Sequence, residues 1–137
     1  MFVQGITTQK FPYKQLTAAT TLTAQDSGRT FGLALAGGFT VTLPALAAGL
    51  KFYFFVEVDP TTAYIIASAE GDNVSMVGAA ADGNAVVINS AGFSADQVNL
   101  VANQAKIGDK VAVESLGTLG WAATAIVTAG AGVTISG

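Results

Sequence analysis

The sequence predicts an all-β domain, an antiparallel β-sandwich or barrel-like fold carrying an extended N-terminal arm. Three observations lead there. Apolar residues alternate with a period of two in segment after segment, as in FTVTL (39–43) and LKFYFFVEV (50–58), which is the pattern of a strand with one buried face. Turn formers (Gly, Asp, Pro) separate these segments at near-regular intervals. An Ala-rich stretch that could be a helix between strands, LPALAAGL (43–50), leaves only Ala45 to Ala48 between Pro44 and Gly49. That is too short for an independent helix, and it reads as a corner.

Residues 1–18, MFVQGITTQKFPYKQLTA, show no clean alternation. They are assigned to an arm, with residues 19–137 as a single β-domain. Aromatic residues are unusual in a frayed terminus, so Phe2, Phe11 and Tyr13 are the candidate anchors on a neighbouring subunit or partner.

From residue 20 the chain reads strand, turn, strand. TTLTA (20–24) leads to the turn QDSG (25–28), where Asp26 and Gly28 suit a reversal. RTFGLAL (29–35) places Phe31, Leu33 and Leu35 on one face, and Gly37-Gly38 turns the chain into FTVTL. In 50–58, Leu50, Phe52, Phe54, Val56 and Val58 share one parity; Tyr53 and Phe55 lie on the other. A strand aromatic on both faces is covered on both, by its own fold or by a partner; for the partner case Tyr53 and Phe55 are the candidate protomer interface. AYIIAS (63–68), NVSMV (73–77), AVVIN (85–89), QVNLVA (97–102), DKVAVES (109–115), TLGWAATAI (118–126) and GVTISG (132–137) continue the series. Roughly nine to eleven short strands result, the signature of a sandwich or barrel. The competing helical segment is SADQVNLVANQAKIG (94–108), where Ser94 would cap a short helix or turn.

Composition narrows the function. The chain has 137 residues, enough for one domain with a proper core. Charged residues are 11% and hydrophobic ones 51%, against a usual charged share of about 25%. So little charge leads us to expect part of the surface to be covered by another protein; the competing reading is that Ala and Gly inflate the apolar count. The net charge is −3 and the basic residues are scattered, which argues against nucleic-acid binding. No uninterrupted apolar run approaches the ~20 residues of a membrane helix, and the N-terminus lacks the features of a signal peptide. A soluble protein made in a cytoplasm is expected.

Chemistry is sparse. Without His or Cys, His-based triads, thiolate nucleophiles and His or Cys zinc sites cannot be built. No Gly-rich loop is followed by a phosphate-binding Lys. Asp26, Asp72, Asp82 and Asp109 each sit where turn formation explains them. Asn73-Val74-Ser75 is a formal glycosylation sequon without a secretory context. The expectation is a non-enzyme with no catalytic residue, cofactor or metal.

Four segments in order, TLTAQDSGRTF (21–31), FTVTLPALAAGLKFYF (39–54), GDNVSMVG (71–78) and GDKVAVESLGTLGWAAT (108–124), resemble a recurring β-module of tailed-phage virion proteins. The module opens T-L-T-x-x-D-S-G-[KR], continues V-T-L-P-x-x-x-x-G-x-x-[FY]-x-F, and ends with a G-D-K strand followed by a Trp-containing strand. The resemblance covers residues 20 to about 125. It implies a virion β-domain of the kind found in head decoration (cement) proteins and in tail fibres and spikes. A small domain with one module and an arm resembles the decoration proteins. The expected partners are therefore further copies of itself, as a homotrimer, and the major capsid protein where capsomers meet, with no nucleic acid or membrane involved. The alternative is a receptor- or carbohydrate-binding tail fibre or spike module.

Overall fold

The computed structural model describes residues 10–71, 73–86, 92–117 and 119–137. The chain forms an all-β sandwich of two sheets. In chain order the strands are β1 (Tyr13–Leu16), β2 (Thr20–Thr21), β3 (Thr30–Leu33), β4 (Thr40–Thr42), β5 (Lys51–Val56), β6 (Tyr64–Ala67), β7 (Val74–Ala80), β8 (Gln97–Leu100), β9 (Lys110–Ser115), β10 (Trp121–Val127) and β11 (Val133–Ser136). One sheet has the order β1-β3-β5-β9-β10-β7 and the other β11-β8-β6-β4-β2.

The sheets are mixed, which corrects the antiparallel expectation. β1–β3, β3–β5, β2–β4, β4–β6 and β7–β10 are parallel pairs. The reason lies in the path of the chain. From β1 to β8 successive strands alternate between the sheets, so neighbours within a sheet are two apart in sequence and often run the same way. Among the described residues only β9 and β10 are both consecutive in sequence and paired, as an antiparallel hairpin. A short turn signal looks the same whether the next strand pairs beside the last one or crosses to the facing sheet.

The LPALAAGL segment is one of these crossings, carrying the chain from β4 in one sheet to β5 in the other. Gly49 takes φ +80°, open to Gly without the Cβ penalty. The buried Ser115 fixes the corner from β9: its Oγ accepts from Leu50 N at 2.8 Å and donates to the Ala47 carbonyl.

One continuous core fills the space between the sheets. It includes Phe31, Leu33, Phe52, Phe54, Val56, Val111, Val113 and Trp121 from the larger sheet, facing Val41, Tyr64, Ile66, Val98, Leu100 and Val133 from the smaller. Trp121 is fully buried 6.0 Å from Phe52, and Phe31 stacks on Phe54 at 5.7 Å. Burying each such side chain contributes about 1.5–3 kcal/mol. The phenol of buried Tyr64 donates to the Val58 carbonyl (2.7 Å) and accepts from Leu35 N (3.1 Å); burial raises its pKa.

Several sequence expectations resolve in detail. Tyr13–Leu16, read as part of the arm, pairs in parallel with β3 and buries Leu16. Leu35 is exposed because β3 ends at Leu33. Segment 94–108 holds β8 followed by turns rather than a helix. Most of AVVIN lies outside the described residues, as does Phe2.

Asp109 is more than a turn former. Its carboxylate is buried, and it accepts from Thr128 N (2.8 Å), Thr128 Oγ1 (2.8 Å) and Lys106 N (2.9 Å). It ties the entry of β9 to the exit of β10. Asp109→Ala removes the buried carboxylate and its three hydrogen bonds and is expected to destabilise the fold by about 2 kcal/mol, read from the midpoint of chemical denaturation. Asp82 plays a related role at the surface. Hydrogen bonds from the Asn84 backbone and side chain (3.0 and 2.8 Å) and from Gly130 N hold its pKa below the usual carboxylate value. A depressed pKa gives a contribution present above the unfolded-state value and lost as pH falls through the folded one. Acid titration of the wild type should therefore loosen the Asp82–Gly130 contact only below pH 3.8, and Asp82→Asn should abolish that step, as followed by amide chemical shifts.

Candidate interaction surface on the outer face of the larger sheet

The two outer faces differ in chemistry, and strand register shows how. On the smaller sheet the outward rows are Thr134–Asn99–Ile65–Thr40 and Ser136–Gln97–Ala67–Thr42. Gln97 donates to Asn99 (2.6 Å), and the Asn99 amide donates to Thr134 (3.2 Å) and Ser136 (3.1 Å). That face is polar and bonded to itself.

On the larger sheet the outward rows are Tyr13–Thr30–Tyr53–Ala112–Thr124–Val77 and Gln15–Gly32–Phe55–Lys110–Ile126–Ala79. Aromatic residues gather on the β1/β5 side and aliphatic ones on the β10/β7 side, with Ala112 and Thr124 as a low floor between them. A groove of about 490 Å³ runs here, lined by Phe11, Tyr53, Phe55, Lys110, Thr124 and Ile126 among others. Phe11 is 67% exposed and Ile126 55%. A contiguous exposed apolar patch of this kind marks an interaction site.

The sequence-predicted candidates converge on this surface. Tyr13 lies 6.5 Å from Phe11 and 6.0 Å from Phe55, so three residues assigned to two separate roles form one aromatic cluster, beside the exposed Tyr53. Phe52, Phe54 and Trp121 face the core instead. Ile126 and Val77 escaped the sequence reading, and Lys110 was read as outward-facing but not as part of a site. The available signal was parity: Ile126 alternates out of phase with Trp121, as Val77 does with Met76.

Charges frame the groove. Lys51 bonds Glu114 at 3.5 Å and lies 5.9 Å from the Tyr53 ring centroid; Glu114 first, then Tyr53, raises its pKa. At the opposite corner Glu57 reaches over Gly32, where a Cβ would overlap its carboxylate. From there it accepts from the Tyr13 hydroxyl and from Gln15 Nε2 (3.3 Å). A side chain of the β5 segment thus clasps β1 across β3. The hydrogen bond to Glu57 is the main cause of a raised Tyr13 pKa.

Among the described residues no three His, Cys, Asp or Glu side chains gather as a metal site, and no helix is long and apolar enough to cross a membrane. Comparison with protein-family profiles, curated proteins and solved structures gives no match.

Gly32→Ala should displace the flexible Glu57 side chain and release Tyr13 and Gln15. The expected result is faster amide exchange across Tyr13–Leu16 with a change in global stability below about 1 kcal/mol. The Tyr13–Glu57 contact has its own pH window. Because the phenol pKa is raised, its contribution is complete below pH 10.0 and is lost as pH rises through the folded value. A Tyr13→Phe chain should lack that alkaline step in the exchange rates of β1.

Proposed function

We propose that the protein is a structural component of a tailed-phage virion. Within that class we read it as a head decoration protein, binding the outer surface of the expanded capsid where capsomers meet and stabilising the shell. The observation that carries this reading is the aromatic outer face of the larger sheet, which brings Phe11, Tyr13, Tyr53 and Phe55 together on a chain with few charges. The ordered resemblance over residues 20 to about 125 supports it. The chain acts as a homotrimer, with Tyr53 and Phe55 in the protomer interface and the N-terminal segment (Phe2, Phe11, Tyr13) reaching a neighbouring subunit or the major capsid protein. Linked protomers engaging several capsid subunits at once gain avidity without any single strong contact. No catalytic step is involved.

The alternative reading, a receptor- or carbohydrate-binding module of a tail fibre or spike, draws on the same exposed rings of Tyr13 and Tyr53, since aromatic faces suit sugar rings as well as protein. Two measurements separate the readings. Light scattering over a wide concentration range should give a concentration-independent trimer, and the protein should co-sediment with expanded capsids. Because β1 belongs to the sheet, the N-terminal contribution is tested by removing residues 1–9 and by Phe11→Ser with Tyr13→Ser, which should weaken co-sedimentation while the circular dichroism of the β-domain persists. A stable monomer that binds host glycans on an array and ignores capsids would establish the alternative.

A further inference from the structure

The groove has a counterpart elsewhere on the same chain. The β9–β10 hairpin tip reads Leu116-Gly117-Thr118-Leu119-Gly120. Tips of this kind are normally built from Gly, Asn, Asp and Ser, yet here Leu116 and Leu119 are 44% and 65% exposed. The tip is closed by Leu116 N donating to the Gly120 carbonyl (2.9 Å) and Leu119 N donating to the Leu116 carbonyl (3.1 Å), which fixes both leucines on one projection. That projection cannot reach its own groove. Leu119 lies five positions before Thr124 on the same strand line, about 16 Å away.

We propose that the Leu116/Leu119 tip of one copy seats in the Tyr53/Phe55/Ile126 groove of the next. This deepens the proposed self-association and rests on it. Chemistry matches on both counts. The apolar groove, about 490 Å³, has room for both leucine side chains. Lys110 lines the groove and takes part in none of the ion pairs between described residues, while Glu114 sits on the outer face at the base of the tip. Docking brings Glu114 of one copy, which in its own chain pairs with Lys51 at an exposed site, toward Lys110 of the next, an opposite-charge approach that fixes orientation. Tip and groove are different surfaces, so the contact is heterologous, and closure of such contacts produces a ring.

The chain contains no cysteine, so introduced ones report the contact directly. A Leu119→Cys chain is mixed with a Thr124→Cys chain, both exposed positions, and mildly oxidised; products are read on a non-reducing gel. Disulfide-linked heterodimers are expected from the mixture, with little from either chain alone. Thr124→Cys cross-linking to itself would mean the two faces meet across a two-fold axis and would overturn the proposal, as would the absence of a mixed product. A second variant needs no cysteine: Leu116→Ser with Leu119→Ser should lower the mass seen by light scattering to that of the monomer, with the circular dichroism unchanged. An unchanged mass overturns the proposal. Cross-linking without capsid binding would sink the decoration reading alone, and capsid binding by a chain that never cross-links would sink the tip-in-groove contact alone.

Discussion

The structure depends on β5 being apolar in both directions. Its inward residues Phe52, Phe54 and Val56 are buried in the core, while outward Tyr53 and Phe55 create the only strongly aromatic stretch of the exterior among the described residues. Parallel pairing with β3 on one side and antiparallel pairing with β9 on the other carry both patterns across the larger sheet. A register slip of one residue would exchange the two sets. It would place the hydroxyl of Tyr53 in the core and expose Phe52 and Phe54, so the strand is pinned in register by its own composition.

How the two faces are treated explains why the surface has its chemistry. The smaller sheet ends in hydroxyl and amide side chains that satisfy one another, so it asks little of a neighbour. The larger sheet presents rings, an isoleucine and a valine over a floor of small residues, with Lys110 among them and its other charges at the margins. The difference is one of desolvation. Covering the first face would require polar groups to be re-paired, whereas covering the second releases water from apolar area.

Much of this was legible in the sequence. Alternation and turn signals located ten of the eleven strands among the described residues, and a four-residue span between Pro44 and Gly49 was enough to identify a corner. The inward set of β5 and β9 followed from parity alone. The strand β1 was missed because three of its four residues are exposed, so it carries no alternation to read. Pairing direction was missed because local turn chemistry does not record which sheet receives the next strand. Asp109 was read as a turn residue because its bond from Lys106 N is local, whereas Thr128 meets it only through the hairpin. The aromatic half of the interaction surface was visible from parity; its aliphatic half, Ile126 and Val77, was masked by the stronger signals of Trp121 and Met76 beside them.

The alternation of strands between sheets has a consequence for how the chain reaches this state. A meander can complete one hairpin at a time, each stabilised by its immediate predecessor. Here β1 through β8 offer no such local unit: Thr30 must wait for Tyr53, and Phe54 for Val111. The β9–β10 hairpin alone forms from adjacent chain. Every other pairing closes a loop before any contact rewards it, so the ordering entropy falls early and the stabilisation late. Folding of this sandwich is therefore a slow, collective event in which the aromatic strand stays exposed until both sheets assemble around it.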